Sequence, residues 1–440
     1  MIWTAIRRHC LVVPLALLAL ACGGGDPLSG EAETLPSAAT SPQAPTVPPA
    51  PADLDLALAL GLASFEGAKP LPARMEFLVR EGGEWNVFAV SDEGSDVFHK
   101  VMAYDDEGTP SLLTVAGAPV GEKARVKLWT PAGGGLESET LWEADFGGKR
   151  SRMRDVEVAD LFGDGRDTLA VATHDQGVVA TLHPDGAGGF EVTELDRMPS
   201  TFVHEIEIGD VNGDGTLEVY ATPSEPNKLD GSEQSGQVVR YIPKDGEGRV
   251  VVADLGNRHA KEIFVDDVDG DGSEELYVVV EGKLKKGSKT QLEEGIEIRR
   301  YEAGTDPKAG AVVARIDDRL CRFVTVGDVD GDGKKEMVIA AFSSGVWLAR
   351  PGADPNAEWS VTSIDRNSGG FEHAALLTDL DGDGLDELYV ASDKHKEVRR
   401  YVWDGSELVR ETIYARTDGR AVFTWNIMPV PVALVPRTSP

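Results

Sequence analysis

The chain has 440 residues and carries 43 Lys+Arg against 75 Asp+Glu, a formal net charge of −32 at pH 7. That length holds one large domain or a few ordinary ones, and 41 % hydrophobic residues mark a globular chain rather than a disordered one. So acidic a surface repels phosphate backbones and anionic lipid head groups, which argues against nucleic-acid and lipid-surface binding and leaves hard cations and solvated, secreted surfaces.

At the N-terminus, Arg7, Arg8 and His9 precede an apolar run from Leu11 to Ala21. A bilayer span needs about 20 apolar residues, so residues 1–21 read as a cleavable export signal. The run ends in Leu18-Ala19-Leu20-Ala21-Cys22, followed by Gly23, Gly24 and Gly25. This resembles the bacterial lipoprotein lipobox, whose cysteine becomes the lipidated first residue. The resemblance implies lipid on Cys22 and an exported chain anchored in the cell envelope, at the periplasmic face or the cell surface. It departs at Ala19, where leucine is commoner, and plain secretion is the alternative. With Cys22 lipidated, Cys321 is the one free thiol left, so no internal disulfide is available. Cys321 falls in a predicted strand and reads as a small buried residue.

Residues 22–52 are rich in Pro, Ala, Ser, Thr and Gly and read as a semi-extended spacer. From Asp53 to Leu58 the sequence alternates at period two, then turns into a mixed apolar stretch to residue 68 that the pattern leaves unassigned. Residues 73–92 contain Met75–Val79 and Trp85–Val90, two runs with the strand signature.

A repeat organises the rest. Four complete copies of one segment start at Asp210, Asp267, Asp328 and Asp379, a weaker copy at Asp160 and a vestigial one at Asp105. Each is preceded by an alternating run, such as Arg322–Gly327, and followed by short β-branched or aromatic runs such as Leu276–Val280, Ile298–Tyr301 and Ala311–Ala314. Four short strands per repeat of roughly 50 residues is the signature of a β-propeller blade. The predicted fold is all-β: a β-propeller of about seven four-stranded blades over residues 53–440. Residues 420–435 read as a first and second strand without a third, and residues 73–92 as a third and fourth without a first. One blade is therefore predicted to be closed by both termini, which removes open sheet edges.

The repeated loop reads Asp-x-Asp/Asn-x-Asp-Gly-x-x-Glu. Positions one, three, five and nine bring side-chain oxygens: Asp210, Asn212, Asp214 and Glu218; Asp267, Asp269, Asp271 and Glu275; Asp328, Asp330, Asp332 and Glu336; Asp379, Asp381, Asp383 and Glu387. Position seven brings a main-chain carbonyl, at Thr216, Ser273, Lys334 and Leu385. Glycine at position six permits the tight turn. An all-oxygen set with flexible geometry suits Ca²⁺, whereas Zn²⁺ favours the Cys and His that these loops lack. The position-twelve Glu of an EF-hand is missing, being Ala221, Val278, Ile339 and Val390 inside predicted strands. About four Ca²⁺ sites are expected. A fifth, at Asp160 and Asp164, is expected to be weak or absent, because Phe162 and Thr168 replace two ligands.

These repeats resemble the FG-GAP/VCBS repeats of integrin α-subunit propellers and many bacterial surface proteins. The resemblance covers about residues 95–420 and rests mainly on the loop. It implies a Ca²⁺-braced propeller used in adhesion or ligand binding. Most Phe-Gly and Gly-Ala-Pro words are missing: Val203 and Glu372 follow Phe202 and Phe371. An integrin-type partner is therefore not implied.

Six positions before each loop's first Asp stands a basic residue: His99, Arg154, His204, Lys261, Arg322 and His373. Six residues of strand span about 20 Å. The ring is thus expected at the far end of the innermost strands, opposite the loops and near the channel. Two readings stay open, pairing with carboxylates of adjacent blades or a cationic rim for an acidic or hydroxyl-rich ligand. Insertions at residues 223–237 and 281–295, the second with Lys283, Lys285, Lys286 and Lys289, are expected on that same face.

No Gly-x-Ser-x-Gly, His-Glu-x-x-His or phosphate-binding Gly loop is present. A binding or adhesion module for an extracellular or periplasmic protein or polysaccharide is favoured over an enzyme. It is expected to be a monomer that touches membrane only through its lipid. A polysaccharide-active lyase or hydrolase is the alternative, since propellers host both with sites scattered in sequence.

Overall fold

The computed structural model describes residues 47, 48, 50–106, 108–148, 150–174, 176–225, 233–288, 290–417 and 419–437. The expected signal, Cys22 and most of the spacer lie outside these residues.

The described residues form seven antiparallel blades and almost no helix. Within each blade, neighbouring strands in the sequence pair in order from the innermost outward. The innermost strands are Ala421–Pro431, Val97–Asp106, Met153–Ala159, Phe202–Gly209, Ala260–Asp266, Cys321–Gly327 and Ala375–Thr378, in blades 1 to 7. Each touches the innermost strand of the next blade, and Ala421–Pro431 touches both Ala375–Thr378 and Val97–Asp106. The ring is therefore closed. The core consists of apolar slabs between facing blades. One joins Leu113 and Val115 of blade 2 to Val156, Leu169 and Val171 of blade 3. Another joins Val338 and Leu348 of blade 6 to Leu377 and Leu388 of blade 7. Full burial of each such side chain stabilises by roughly 1.5–3 kcal/mol.

Blade 1 is composite, with one correction to the expected strand assignment. Residues 420–435 contribute one strand, Ala421–Pro431, followed by a 3-10 turn at Val432–Leu434. The second strand is Leu56–Glu66, which pairs with Ala421–Pro431 on one side and Ala73–Glu81 on the other. Glu84–Asp92 completes the blade. Leu56–Glu66 is central in its sheet, and every residue from Ala57 to Ser64 is buried. Burial on both faces erases the polar alternation that identifies a strand, and Leu and Ala are weak strand formers.

Candidate functional site

Each complete loop joins the innermost strand of a blade to its second strand. Glycines at positions four and six both take left-handed backbone, for example Gly270 at φ 76 and Gly272 at φ 93. The same pair recurs in the weaker copy as Gly163 and Gly165. This turn aims main-chain N–H groups at the first Asp. Asp267 accepts from Gly270, Asp271 and Gly272 at 2.8–3.0 Å. Asp379 accepts from Gly382, Asp383 and Gly384 in the same way.

Position nine is the first residue of the second strand and is buried in all four copies: Glu218, Glu275, Glu336 and Glu387. Burial pushes the carboxyls of Glu275, Glu336 and Glu387 up to about 7, against the pull of a nearby arginine. Three loops gather carboxylate oxygens tightly. Asp267, Asp269 and Asp271 place one oxygen each within 4.8 Å of one another, as do Asp328, Asp330 and Asp332, and Asp379, Asp381 and Glu387. These sets fit a hard cation. Asp381 adds a specific sign, because its Oδ1 is buried with no hydrogen-bond donor. In the loop of Asp210 and Asp214, Asn212 stands at position three and its amide donates to Glu218 at 3.0 Å. The carbonyl positions Thr216, Ser273, Lys334 and Leu385 lie in the turns, where each main-chain N–H of these residues bonds the Asp two positions earlier.

In the weaker copy a side chain pairs with one of the two remaining acids. Arg166 Nε lies 3.0 Å from Asp164, and the same guanidinium reaches the Pro184 carbonyl. Asp160 still accepts from Asp164 and Gly165. The loop keeps its main-chain bonds to Asp160, and Thr168 bonds His183 at 2.8 Å instead of offering a carboxylate.

Sequence reasoning missed two partners of these loops. An arginine from the third strand bridges positions three and nine. Arg300 lies 2.6 Å from Asp269 and 2.9 Å from Glu275. Arg350 meets Asp330 at 2.9 Å and Glu336 at 3.5 Å. Arg400 meets Asp381 at 2.9 Å and also holds Glu387, while Arg240 reaches Glu218 at 2.8 Å. The signal was the Arg-Tyr word in Arg240-Tyr241, Arg300-Tyr301 and Arg400-Tyr401. Position eight stitches blades together: Asp210 N–H donates to Glu274 at 2.6 Å, and Asp328 N–H to Asp386 at 2.8 Å.

The basic ring lies at the opposite end of the innermost strands, as expected, but in the interior. His99, Arg154, His204, Lys261, Arg322 and His373 are all buried, none more than 4 % exposed. An exposed cationic rim is therefore not what they form. The cause is backbone geometry. In blades 2 to 6 the pairing register slips where the basic residue stands, as between Phe98 and Lys100, Val203 and Ile206, and Cys321 and Phe323. Such a bulge inserts an unpaired residue and re-aims its side chain. In blade 7, His373 takes a left-handed φ of 47° just before its strand. The side chains consequently meet across blades near the axis.

Half of the ring is neutralised there. Lys261 Nζ lies 2.7 Å from Glu262 and 3.3 Å from Glu372, and Arg322 Nη2 lies 2.7 Å from Glu372. Those cations hold the fully buried Glu372 carboxyl below its usual range against desolvation. His373 bonds Ser368 Oγ and the Ala341 carbonyl, both at 2.7 Å. A second polar layer sits one step toward the loops, where Lys100 lies 3.0 Å from Asp155 and also pairs with Glu157.

Both insertions emerge at the ring end, since Ala260 pairs with Val280 just before residue 281. Lys283–Leu284 and Leu292–Glu294 form a small hairpin. Lys289 and residues 226–232 lie outside the described residues. A cleft of about 240 Å³ beside the first insertion is lined by Met198, Ser224, Gln237, Arg249 and Asp254, among others. It is smaller than the roughly 300–1,000 Å³ of typical small-molecule pockets.

Residues 328–390 match the FG-GAP-like repeat family. That stretch runs from the loop of blade 6 through the loop and second strand of blade 7. No curated protein matches. Among solved structures, a protein from Lactobacillus plantarum is similar with a TM-score of 0.52 at 11 % identity, over 83 % of this chain and 99 % of its own. An alpha-L-arabinanase from Penicillium chrysogenum, solved with arabinobiose, aligns with a TM-score of 0.43 at 12 % identity, over 74 % of this chain and 93 % of its own. The first likeness is one of fold alone.

Proposed function

We propose that this seven-bladed propeller is braced by Ca²⁺ and serves as a binding or adhesion module at the bacterial cell envelope. Its partner is an extracellular or periplasmic protein or polysaccharide, and lipid on Cys22 holds it to the membrane. The observation that carries the metal reading is the convergence of carboxylate oxygens in three loops, with Asp381 Oδ1 buried and lacking a donor. Asp267, Asp269 and Asp271 would hold one ion with Glu275, and the corresponding residues of the other loops would hold theirs. Ca²⁺ would there supply bracing charge between two strands of a blade, work that disulfides do in other exported proteins.

The test is a melting curve in calcium and in excess chelator. A ligand that binds only the native state adds about 1.4 kcal/mol per site at ten times its Kd. An unchanged melt would sink the metal reading. Labelled fatty-acid incorporation, lost in Cys22→Ala, tests the anchor.

A second reading is a polysaccharide-active lyase or hydrolase with its site scattered over the propeller. A glycan array followed by a product assay separates the two, and binding without turnover favours the module.

A further inference from the structure

Three of the six ring residues, on blades 5 to 7, pair with Glu262, Glu372, Ser368 and main-chain carbonyls, although Arg322 Nε is left over. The other three, on blades 2 to 4, make no direct ion pair with an acid among the described residues. His99 bonds only the Met153 carbonyl, at 2.7 Å. Arg154 is the sharper case. It is 4 % exposed, yet among the described residues it makes no ion pair and no hydrogen bond. Its Nε is buried without a partner. Its guanidinium lies over the face of Trp425, 4.8 Å from Cζ to the ring centroid, reached from blade 3 to blade 1. A buried guanidinium without a direct ion pair or hydrogen bond is costly.

Other buried nitrogens beside it also lack partners. Trp425 Nε1, His174 Nδ1 and His204 Nε2 are all buried without a partner. His174 Nε2 and His204 Nδ1 lie 3.3 Å apart. Whichever nitrogen donates in that pair, a neutral pair leaves one of the two outward nitrogens carrying a proton. Burial first, and then Arg152 at His174 and Arg154 at His204, hold the imidazoles well below their ordinary value, so the neutral pair turns one donor and one acceptor nitrogen outward. The neighbouring acids are engaged elsewhere: Asp155 with Lys100 and the Ile206 N–H, and Glu372 with Arg322 and Lys261. Glu205 and Glu372 both feel the charge of Arg154, but neither makes an ion pair with it among the described residues.

We propose that Arg154, with Trp425, His174 and His204 beside it, forms an anion site at the propeller axis, on the face opposite the metal loops. It takes an oxyanion, a carboxylate or sulfate, as the planar fork of arginine favours. Such a group is presented either by a free small anion or by an acidic polysaccharide, and the site gives the module its preference for negatively charged ligands. The proposal rests on the reading of the propeller as a binding module.

The test uses the intact chain, calorimetric titration and melting at constant ionic strength. The probes are sodium sulfate, galacturonate and oligogalacturonate, with neutral arabino-oligosaccharide as control. Wild type is expected to bind at least one acidic probe and not the neutral one. Binding of sulfate or galacturonate identifies a general oxyanion site, and binding of the oligomer alone identifies an acidic polysaccharide. Arg154→Gln should weaken binding at least tenfold while melting no lower than wild type, because it removes a buried charge that makes no direct ion pair. Arg322→Gln should melt lower and keep the binding, because it strands Glu372. Trp425→Phe, which deletes one donor and keeps an aromatic face, should weaken binding about threefold or more. The site is overturned if no acidic probe binds, if Arg154→Gln binds as wild type does, or if Arg154→Gln melts well below wild type. A calcium-stabilised melt with no anion binding overturns this site alone and leaves the bracing intact.

Discussion

Asn426 bonds both main-chain groups of Val101. Its Oδ1 accepts from the Val101 N–H at 3.1 Å, and its Nδ2 donates to the Val101 carbonyl at 3.0 Å. The two residues are 325 apart in sequence, and the contact seals blade 1 against blade 2 where the chain's ends meet. Gly61 makes the room, since a Cβ there would stand 2.7 Å from Asn426 Oδ1.

Asn426→Leu keeps the side-chain volume and strands both Val101 groups. An unsatisfied buried polar group costs about 1–3 kcal/mol. The expected loss is about 2–4 kcal/mol, read from the denaturant midpoint. An unchanged midpoint would mean that closure does not depend on this contact.

Calcium should raise the melting temperature, and Asp332→Asn should shrink that rise. The variant removes one anionic ligand from the trio of Asp328, Asp330 and Asp332. One site filled at ten times its Kd contributes about 1.4 kcal/mol. The comparison to make is the calcium-induced shift in variant and wild type, with the chelated melts as baselines.

Arg400→Met should destabilise the chelated protein more than the calcium-loaded one. Arg400 is buried and bridges Asp381 and Glu387. Removing one partner of a buried ion cluster costs about 3–5 kcal/mol, because the remaining charges go unmatched. A bound cation beside the same carboxylates would recover part of that. Equal losses in both buffers would separate Arg400 from the metal loop.

Glu281 predicts a pH dependence. Burial holds its carboxyl up at about 8, and both oxygens lack donors. An unfolded glutamate titrates near 4.3, by the reference value. Between those two values the unfolded chain gives up the proton while the native chain keeps it. Stability therefore falls as pH rises through that window, by up to about 1.4 kcal/mol per unit, and levels off above it. His259 and His373, held down to about 4 by burial, act on the other side. Their unfolded forms take protons first, so stability falls as pH drops from about 6.5 toward 4. Glu281→Gln should stabilise at pH 8 and change little at pH 4. Equal midpoint gains at both would refute the assignment.

Gly345→Ala should be strongly destabilising. Gly345 takes a φ of 102°, and a Cβ would meet the Asp365 carbonyl at 2.1 Å and Arg366 Cα at 2.7 Å. Backbone strain of this kind costs about 1–3 kcal/mol before the clash is counted. The check is the shift in denaturant midpoint.

Much of this architecture was legible in the chain. The loop from Asp267 to Glu275 contains its own chemistry, because its ligands and its glycines lie within nine residues. Repetition at matched places then implied the blade and, by count, the propeller. Leu56–Glu66 was not legible, because a strand buried on both faces shows no alternation. The arginines at 240, 300, 350 and 400 were visible as residues but not as partners of the loops. Their contact depends on the register between second and third strands, as in Tyr277 opposite Arg300 and Tyr389 opposite Arg400.

The spacing of the basic ring was equally plain, and its end of the strand followed from chain direction. Its burial did not follow. A bulge in blades 2 to 6, and a left-handed residue at His373 in blade 7, re-aim these side chains, and only the closed ring brings Lys261 and Arg322 to Glu372 while leaving Arg154 on Trp425. The sequence by itself determined what is local: loop chemistry, strand content and repeat number. The tertiary structure decided what depends on closure: which segments share blade 1, and which cations at the axis find an acid. The reason is that local chemistry needs only a few consecutive residues, whereas charge pairing at the axis is set by side chains arriving from seven separate strands.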